Sequence, residues 1–200
     1  MMNLQDKVIL ITGAGKGNGR KLAKAFAKRG AIIAANDISP MNVEDVIDSI
    51  NKNGGKAKSY IEDVAKKVGA QTLIKNVEDD FGRIDILINH ASVEPHVSLL
   101  KMDEWDWHRV LDVNITGSFL MMQSVGRMMK EQGSGLIISL IAEPTSNQEK
   151  EAGAFFASQA GLRELSNQMN LELNSYHVNV FAIENSEKTI QNIFALLEEV

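Results

Sequence analysis

Gly13, Gly17 and Gly19 recur within the run Thr12-Gly13-Ala14-Gly15-Lys16-Gly17-Asn18-Gly19, and Asp37 follows at about the 20-residue interval expected of a dinucleotide fingerprint. Glycines there permit a tight turn and a close approach of the main chain, so that free N–H groups at the start of a following helix can face a pyrophosphate. A carboxylate such as Asp37 accepts hydrogen bonds from both hydroxyls of an adenosine ribose and repels a phosphate esterified at the 2' position. Lys16 argues for such a phosphate, but a lysine in a loop can swing away. Asp37 outweighs it, and the expected coenzyme is NAD(H) rather than NADP(H).

Regular elements must hold these residues in place, and the flanking sequence supplies them. Residues 7–11 include the apolar run Val8, Ile9, Leu10 and Ile11, the pattern of a strand buried on both faces, and they lead directly into the glycines. From Arg20 to Arg29, Leu22, Ala23, Ala25, Phe26 and Ala27 form one stripe among Lys21, Lys24 and Lys28, and Gly30 ends the helix. A second apolar run, 31–35, sets Asn36 and Asp37 at the C-terminal tip of the next strand. Strands and helices continue to alternate. This implies an α/β fold with a Rossmann-like, doubly wound parallel sheet in three layers, with six strands and six or seven helices. Two hundred residues at 44% hydrophobic composition fit a single domain spanning 1–200.

Several function classes are disfavoured by composition. The chain has no cysteine, which excludes disulfides and thiolate metal sites, and its four histidines are scattered, so no metal centre is expected. A net charge of −5 without a basic patch disfavours nucleic acid. The lysines and Arg20 around the first helix read as a solvated face. Residues 1–6 carry no charged leader and no long apolar stretch, so a cytoplasmic protein that does not span a membrane is expected.

The glycine spacing is Thr-Gly-x-x-x-Gly-x-Gly rather than Gly-x-Gly-x-x-Gly, and with it the chain resembles the short-chain dehydrogenase/reductase family. Asp63-Val64 looks like the family's pair after the third strand, whose acid holds the adenine. Asn89-His90-Ala91-Ser92 stands where the family has Asn-Asn-Ala-Gly, after a fourth strand at 84–88. Asn114, in Val113-Asn114-Ile115-Thr116-Gly117, falls on the family's mid-helix asparagine, which holds a water in a proton relay and lets the helix bend around it. The resemblance covers nearly all of 4–186. It implies coenzyme contacts from Gly13, Lys16, Gly17, Asn18, Gly19, Asp37, Asp63, Val64, Asn89 and Ala91.

At the catalytic positions the sequence departs from this pattern. The fifth strand, 135–141, is followed by Ala142 where the family has its serine. The segment that should read Tyr-x-x-x-Lys has Phe155 and Gln159. Neither Tyr60 nor Tyr176 is followed four positions on by lysine, and Ser139 could replace the serine only by a three-residue slip that turns it to the other sheet face. Of the four catalytic positions only Asn114 is retained, and without tyrosine and lysine the bend is its remaining use. Carbonyl reduction needs a proton at the developing alkoxide, which phenylalanine cannot give. Gln159 retains an amide for the nicotinamide ribose but not the lysine's charge. His90 and Glu143 are the available substitute acids. The family's Pro-Gly after the sixth strand, 177–183, which frames the nicotinamide, is replaced by Asn185-Ser186.

In the family a substrate-covering lid, a helix and a last strand follow. Here one amphipathic segment, 187–199, ends the sequence, which implies a pocket open to water. Family members pair through two long helices, corresponding here to 104–130 and 155–173. Met121, Met122, Met128 and Met129 suit either such an interface or the interior. The resemblance therefore implies a homodimer, with a hetero-oligomer with an active paralogue as the other possibility. Three functional readings stay open: an NAD(H)-binding but catalytically impaired relative acting as sensor or structural partner, an active alcohol or ketone oxidoreductase using His90, and a structural protein that binds no nucleotide.

Overall fold

A computed structural model describes residues 2–142 and 151–199. Glu143 lies outside the described residues. Six strands form one parallel sheet: β1 (Val8–Ile11), β2 (Ile32–Asn36), β3 (Lys56–Tyr60), β4 (Ile86–Asn89), β5 (Gly135–Ile141) and β6 (Val178–Glu184), in the order β3-β2-β1-β4-β5-β6. The expected fold class is thus observed. Seven α-helices join the strands among the described residues: α1 (Gly17–Ala27), α2 (Pro40–Lys52), α3 (Lys67–Phe81), α4 (Glu104–Leu111), α5 (Ser118–Gln132), α6 (Gly153–Leu173) and α7 (Thr189–Glu199).

The two faces of the sheet are read directly from strand alternation. Ile9 and Ile11 of β1, with Ile86 and Ile88 of β4, pack under α1, α2 and α7 through Phe26, Val46 and Ile193. Val8, Leu10 and Leu87 face the other way, toward Leu73 of α3, Met121 and Val125 of α5, and Leu162 of α6. Continuous apolar strands are required because helices cover both faces. The amphipathic segment at 187–199 forms α7, whose Phe194 lies 5.1 Å from the Phe26 ring and under the Arg29 guanidinium.

Two expectations are adjusted. The strand expected at 84–88 pairs over Ile86–Asn89, because the Gln132 side chain holds both the N–H and the carbonyl of Ile84, and the Asp85 carboxylate accepts from the Val8 amide. The expected long helix at 104–130 is interrupted by a π-helical turn, Asp112–Gly117. Three of its methionines, Met121, Met122 and Met129, are fully buried within the chain, and Met128 packs on the same core. Those three side chains therefore fill the interior, and their spacing carries no evidence for an interface.

Candidate nucleotide-binding site

Strand order reverses direction between β1 and β4, and a crevice opens there beyond the carboxyl ends of the strands. The cleft at this edge has a volume of about 920 Å³. Four successive connections wall it: Gly13, Lys16 and Gly17 after β1; Asp37, Ile38 and Ser39 after β2; Asp63, Val64 and Lys66 after β3; His90 to Pro95 after β4. Helix α4 and the π turn close the outer side with Trp105, Arg109, Asp112 and Val113.

The glycine loop is held by side chains rather than by its own ladder. Asp37 accepts the Gly15 amide at 2.9 Å on one carboxylate oxygen and the Ser39 amide at 2.9 Å on the other. Arg20 reaches back from α1 to the Gly15 carbonyl at 2.8 Å. Thr12 ends β1 and accepts the amides of His90 and Ala91, at 3.1 and 3.2 Å, which joins the loops after β1 and β4. Close packing explains the glycines. Gly13 has φ +63°, and a Cβ there would meet the Ala91 main chain at 2.9 Å. A Cβ on Gly19 would lie 2.6 Å from Nδ1 of His90. Residues 17–19 begin α1, so their N–H groups belong to the first turn, where no intrahelical acceptor exists.

The imidazole of His90 rests against this loop, with Nδ1 3.0 Å from the Gly13 carbonyl. A carbonyl only accepts, so Nδ1 carries the proton and donates. Burial pushes the ring's pKa down; the Gly13 carbonyl and Asp37 pull it partly back up, and Lys16 presses it down. Tethered in this way, the ring belongs to the loop after β1.

The residues at the family's catalytic positions form a separate, self-satisfied cluster. Gln159 is buried, its Oε1 accepts the Ala142 amide at 3.0 Å, and its Nε2 lies 3.4 Å from the Ser158 hydroxyl. Asn114 accepts the Val93 amide at 2.8 Å and donates to the Val93 carbonyl at 3.0 Å and to Ser158 Oγ at 2.9 Å. Its own carbonyl takes the Ser118 hydroxyl at 3.0 Å. Those bonds account for the π turn: Asn114 ties the bulge to the loop after β4 and to α6. Phe155 is buried, edge-on to Phe156 at 5.4 Å. Ser139 faces the core, where Ser166 donates to it at 3.0 Å, as its register requires.

Two residues lie differently from what the motifs alone convey. The Asn18 side chain turns away from the cleft and donates to Asn185 Oδ1 at 2.7 Å and to the Ser186 carbonyl at 3.0 Å. Asn89, at the tip of β4, is 3% exposed, and neither nitrogen nor oxygen of its amide has a partner among the described residues. Leaving them so costs about 1–3 kcal/mol. Thr12 and Arg20, which brace the glycine loop, and the outer wall of Trp105, Arg109 and Asp112 were not singled out by the sequence for these places. Only the i, i+4, i+7 spacing of the last three hints that they share a face. Among the described residues no group of three or more His, Asp or Glu could hold a metal, and no helix is long and apolar enough to cross a membrane.

A parallel sheet of this order, with a glycine turn at its reversal point, defines a doubly wound fold of the dinucleotide-binding class. The chain belongs to the short-chain dehydrogenase/reductase family: the family described as short chain dehydrogenase matches residues 7–187. An uncharacterized oxidoreductase of Thermotoga maritima is 36% identical over 182 residues, covering 91% of this chain and 72% of that protein. Among solved structures, an NAD+-bound xylitol dehydrogenase superposes with TM-score 0.86 at 29% identity, covering 92% of this chain and 71% of the other. A metagenomic short-chain oxidoreductase in complex with NADP gives 0.90 at 25% identity, covering 98% and 91%.

Proposed function

We propose that the chain is an NAD(H)-binding member of its family whose hydride-transfer chemistry is impaired, so that it acts as a nucleotide sensor or as the structural partner of an active relative. The observation that carries this reading is the contrast at one sheet edge between the loop-walled cleft and the closed cluster at Ala142, Phe155 and Gln159. Asp37, Lys16 and the main chain of Gly13, Gly17, Asn18 and Gly19 would hold the adenosine ribose and diphosphate, with Asp63, Val64 and Ala91 around the adenine. The packed cradle and the unsatisfied Asn89 amide fit a polar ligand at this edge. Each Asp37 oxygen has a lone pair left after its bond to an amide, so both can still accept from ribose hydroxyls. That favours a free 2'-hydroxyl, and so NAD(H), against the pull of Lys16.

A bound nicotinamide ring would supply or accept hydride. Among the described residues at the catalytic positions, Ala142, Phe155 and Gln159 offer no acid to move the accompanying proton. Loss of a positioned acid typically costs about 10²–10⁴-fold, and loss of an alkoxide-stabilising donor about 10²–10³-fold. The two do not simply multiply when residues act as a unit. Burial disfavours the charged form of His90, and its bond to Gly13 ties the ring to the glycine loop, so it is poorly suited to replace them.

The test is direct: saturable NADH binding to purified protein, followed in tryptophan or NADH fluorescence, with steady-state turnover on alcohols and ketones at background. Turnover that is readily measured and disappears in His90→Ala would replace this reading with an active oxidoreductase. Absence of binding would leave a structural protein. A homodimer through the surfaces of α4, α5 and α6 is the assembly proposed from the family.

A further inference from the structure

We infer that the cleft is a site for an adenosine 5'-diphosphate group, with ADP-ribose a sufficient ligand, and that the nicotinamide half of a dinucleotide adds nothing to its affinity. This rests on the nucleotide-binding reading above and narrows it: the chain would register adenine nucleotide without registering its redox state.

The first observation is where the cleft runs. It extends from the glycine loop across Asp37 and Asp63 and out over Trp105 and Arg109, and no described residue beyond Val113 lines it. The walls suit an adenosine diphosphate in kind: N–H groups of a helix start, the Lys16 ammonium, the Asp37 carboxylate and the apolar Val64, Ala91 and Val113.

The second observation is that the side chains facing the other half are bonded to one another. In the family relationship Gln159 stands for the lysine that meets the nicotinamide ribose, but here its Oε1 is committed to the Ala142 amide and its Nε2 approaches Ser158. Gln159 is buried and uncharged, so what it can still offer a ligand is only neutral hydrogen bonds, each of small net free energy. Both Nδ2 hydrogens of Asn114 are likewise spent, on the Val93 carbonyl and Ser158, and its Oδ1 takes the Val93 amide.

The third observation lies on the opposite side. Asn18 is bonded to Asn185 and Ser186, and Thr189 caps the same turn by accepting the Ser186 amide at 2.7 Å and donating to the Ser186 carbonyl at 2.7 Å. The turn that takes the place of the family's nicotinamide-framing Pro-Gly is therefore latched to the start of α1. Asn185 Oδ1 and both the N–H and the carbonyl of Ser186 are engaged within the chain.

Calorimetric titration of the wild-type chain with NAD+, NADH, ADP-ribose and nicotinamide mononucleotide separates the cases. ADP-ribose should bind within about threefold of both NAD+ and NADH, a difference smaller than one net hydrogen bond. Nicotinamide mononucleotide should show no saturable binding. NAD+ or NADH binding more than about tenfold tighter than ADP-ribose would overturn the inference while leaving nucleotide binding intact; so would saturable binding of the mononucleotide. If neither dinucleotide nor ADP-ribose binds, the nucleotide-binding reading fails, and this inference with it.

Discussion

The loops after β1, β2 and β3 and the cluster formed by Asn114 of the π turn with Ser158 and Gln159 of α6 lie toward the same edge of one sheet, yet they use their polar groups in opposite ways. At the first, side chains such as Asp37, Arg20 and Thr12 bond to the main chain so as to hold a turn around a cleft. At the second, Gln159, Ser158 and Asn114 bond to each other and to neighbouring amides. In the proposed reading, binding and proton transfer would fall to different parts of the fold, which touch where Asn114 bonds to Val93 of the cleft wall.

Gly19→Ala should break the binding side of that contrast most severely. A methyl there collides with the Gly13 carbonyl and the His90 ring, both held by further bonds, so the loop must shift rather than a flexible side chain. The expected outcome is at least about a tenfold loss of ADP-ribose affinity, with up to about 3 kcal/mol of stability lost to overpacking. Affinity unchanged in a folded variant would show that the ligand does not rest on this loop.

Asn114→Ala probes the closed side. Removing the amide leaves the Val93 N–H and carbonyl without their partner, and a loss of about 2 kcal/mol in chemical denaturation is expected. ADP-ribose affinity should stay within about twofold, well under the threshold of one hydrogen bond. A parallel collapse of affinity would mean that the two regions are one cooperative site.

The open side was legible in the sequence because its signals are local and ordered. The glycine turn follows an apolar strand, and the acid ends the next one, so each residue's place is set by the element beside it. The closed side was only half legible. That Ala142, Phe155 and Gln159 lack the acid and its helper follows from residue type alone. That Gln159 turns to the Ala142 amide, or that Asn18 reaches a residue 167 positions away, depends on tertiary approach that no periodicity encodes. The methionines of α5 show the same limit. A stripe at helical spacing looks alike whether it meets the sheet or a second chain, and packing decides for the sheet.

His90 gives the smallest effect, and it joins charge to the comparison. Its pKa is lowered by burial from the ordinary 6.5, so in the unfolded chain the ring takes its proton first as pH falls. Stability is then undiminished above 6.5 and declines below it until the folded ring also protonates, at no more than about 1.4 kcal/mol per pH unit. His90→Asn, which restores the asparagine of the family motif, should remove that component, read as the difference between the two stability–pH curves. A diphosphate at the loop favours the charged ring, so saturating ADP-ribose should shrink the difference. Curves that are parallel with and without nucleotide would place the anion away from His90, and would move the diphosphate from the glycine loop to some other part of the cleft.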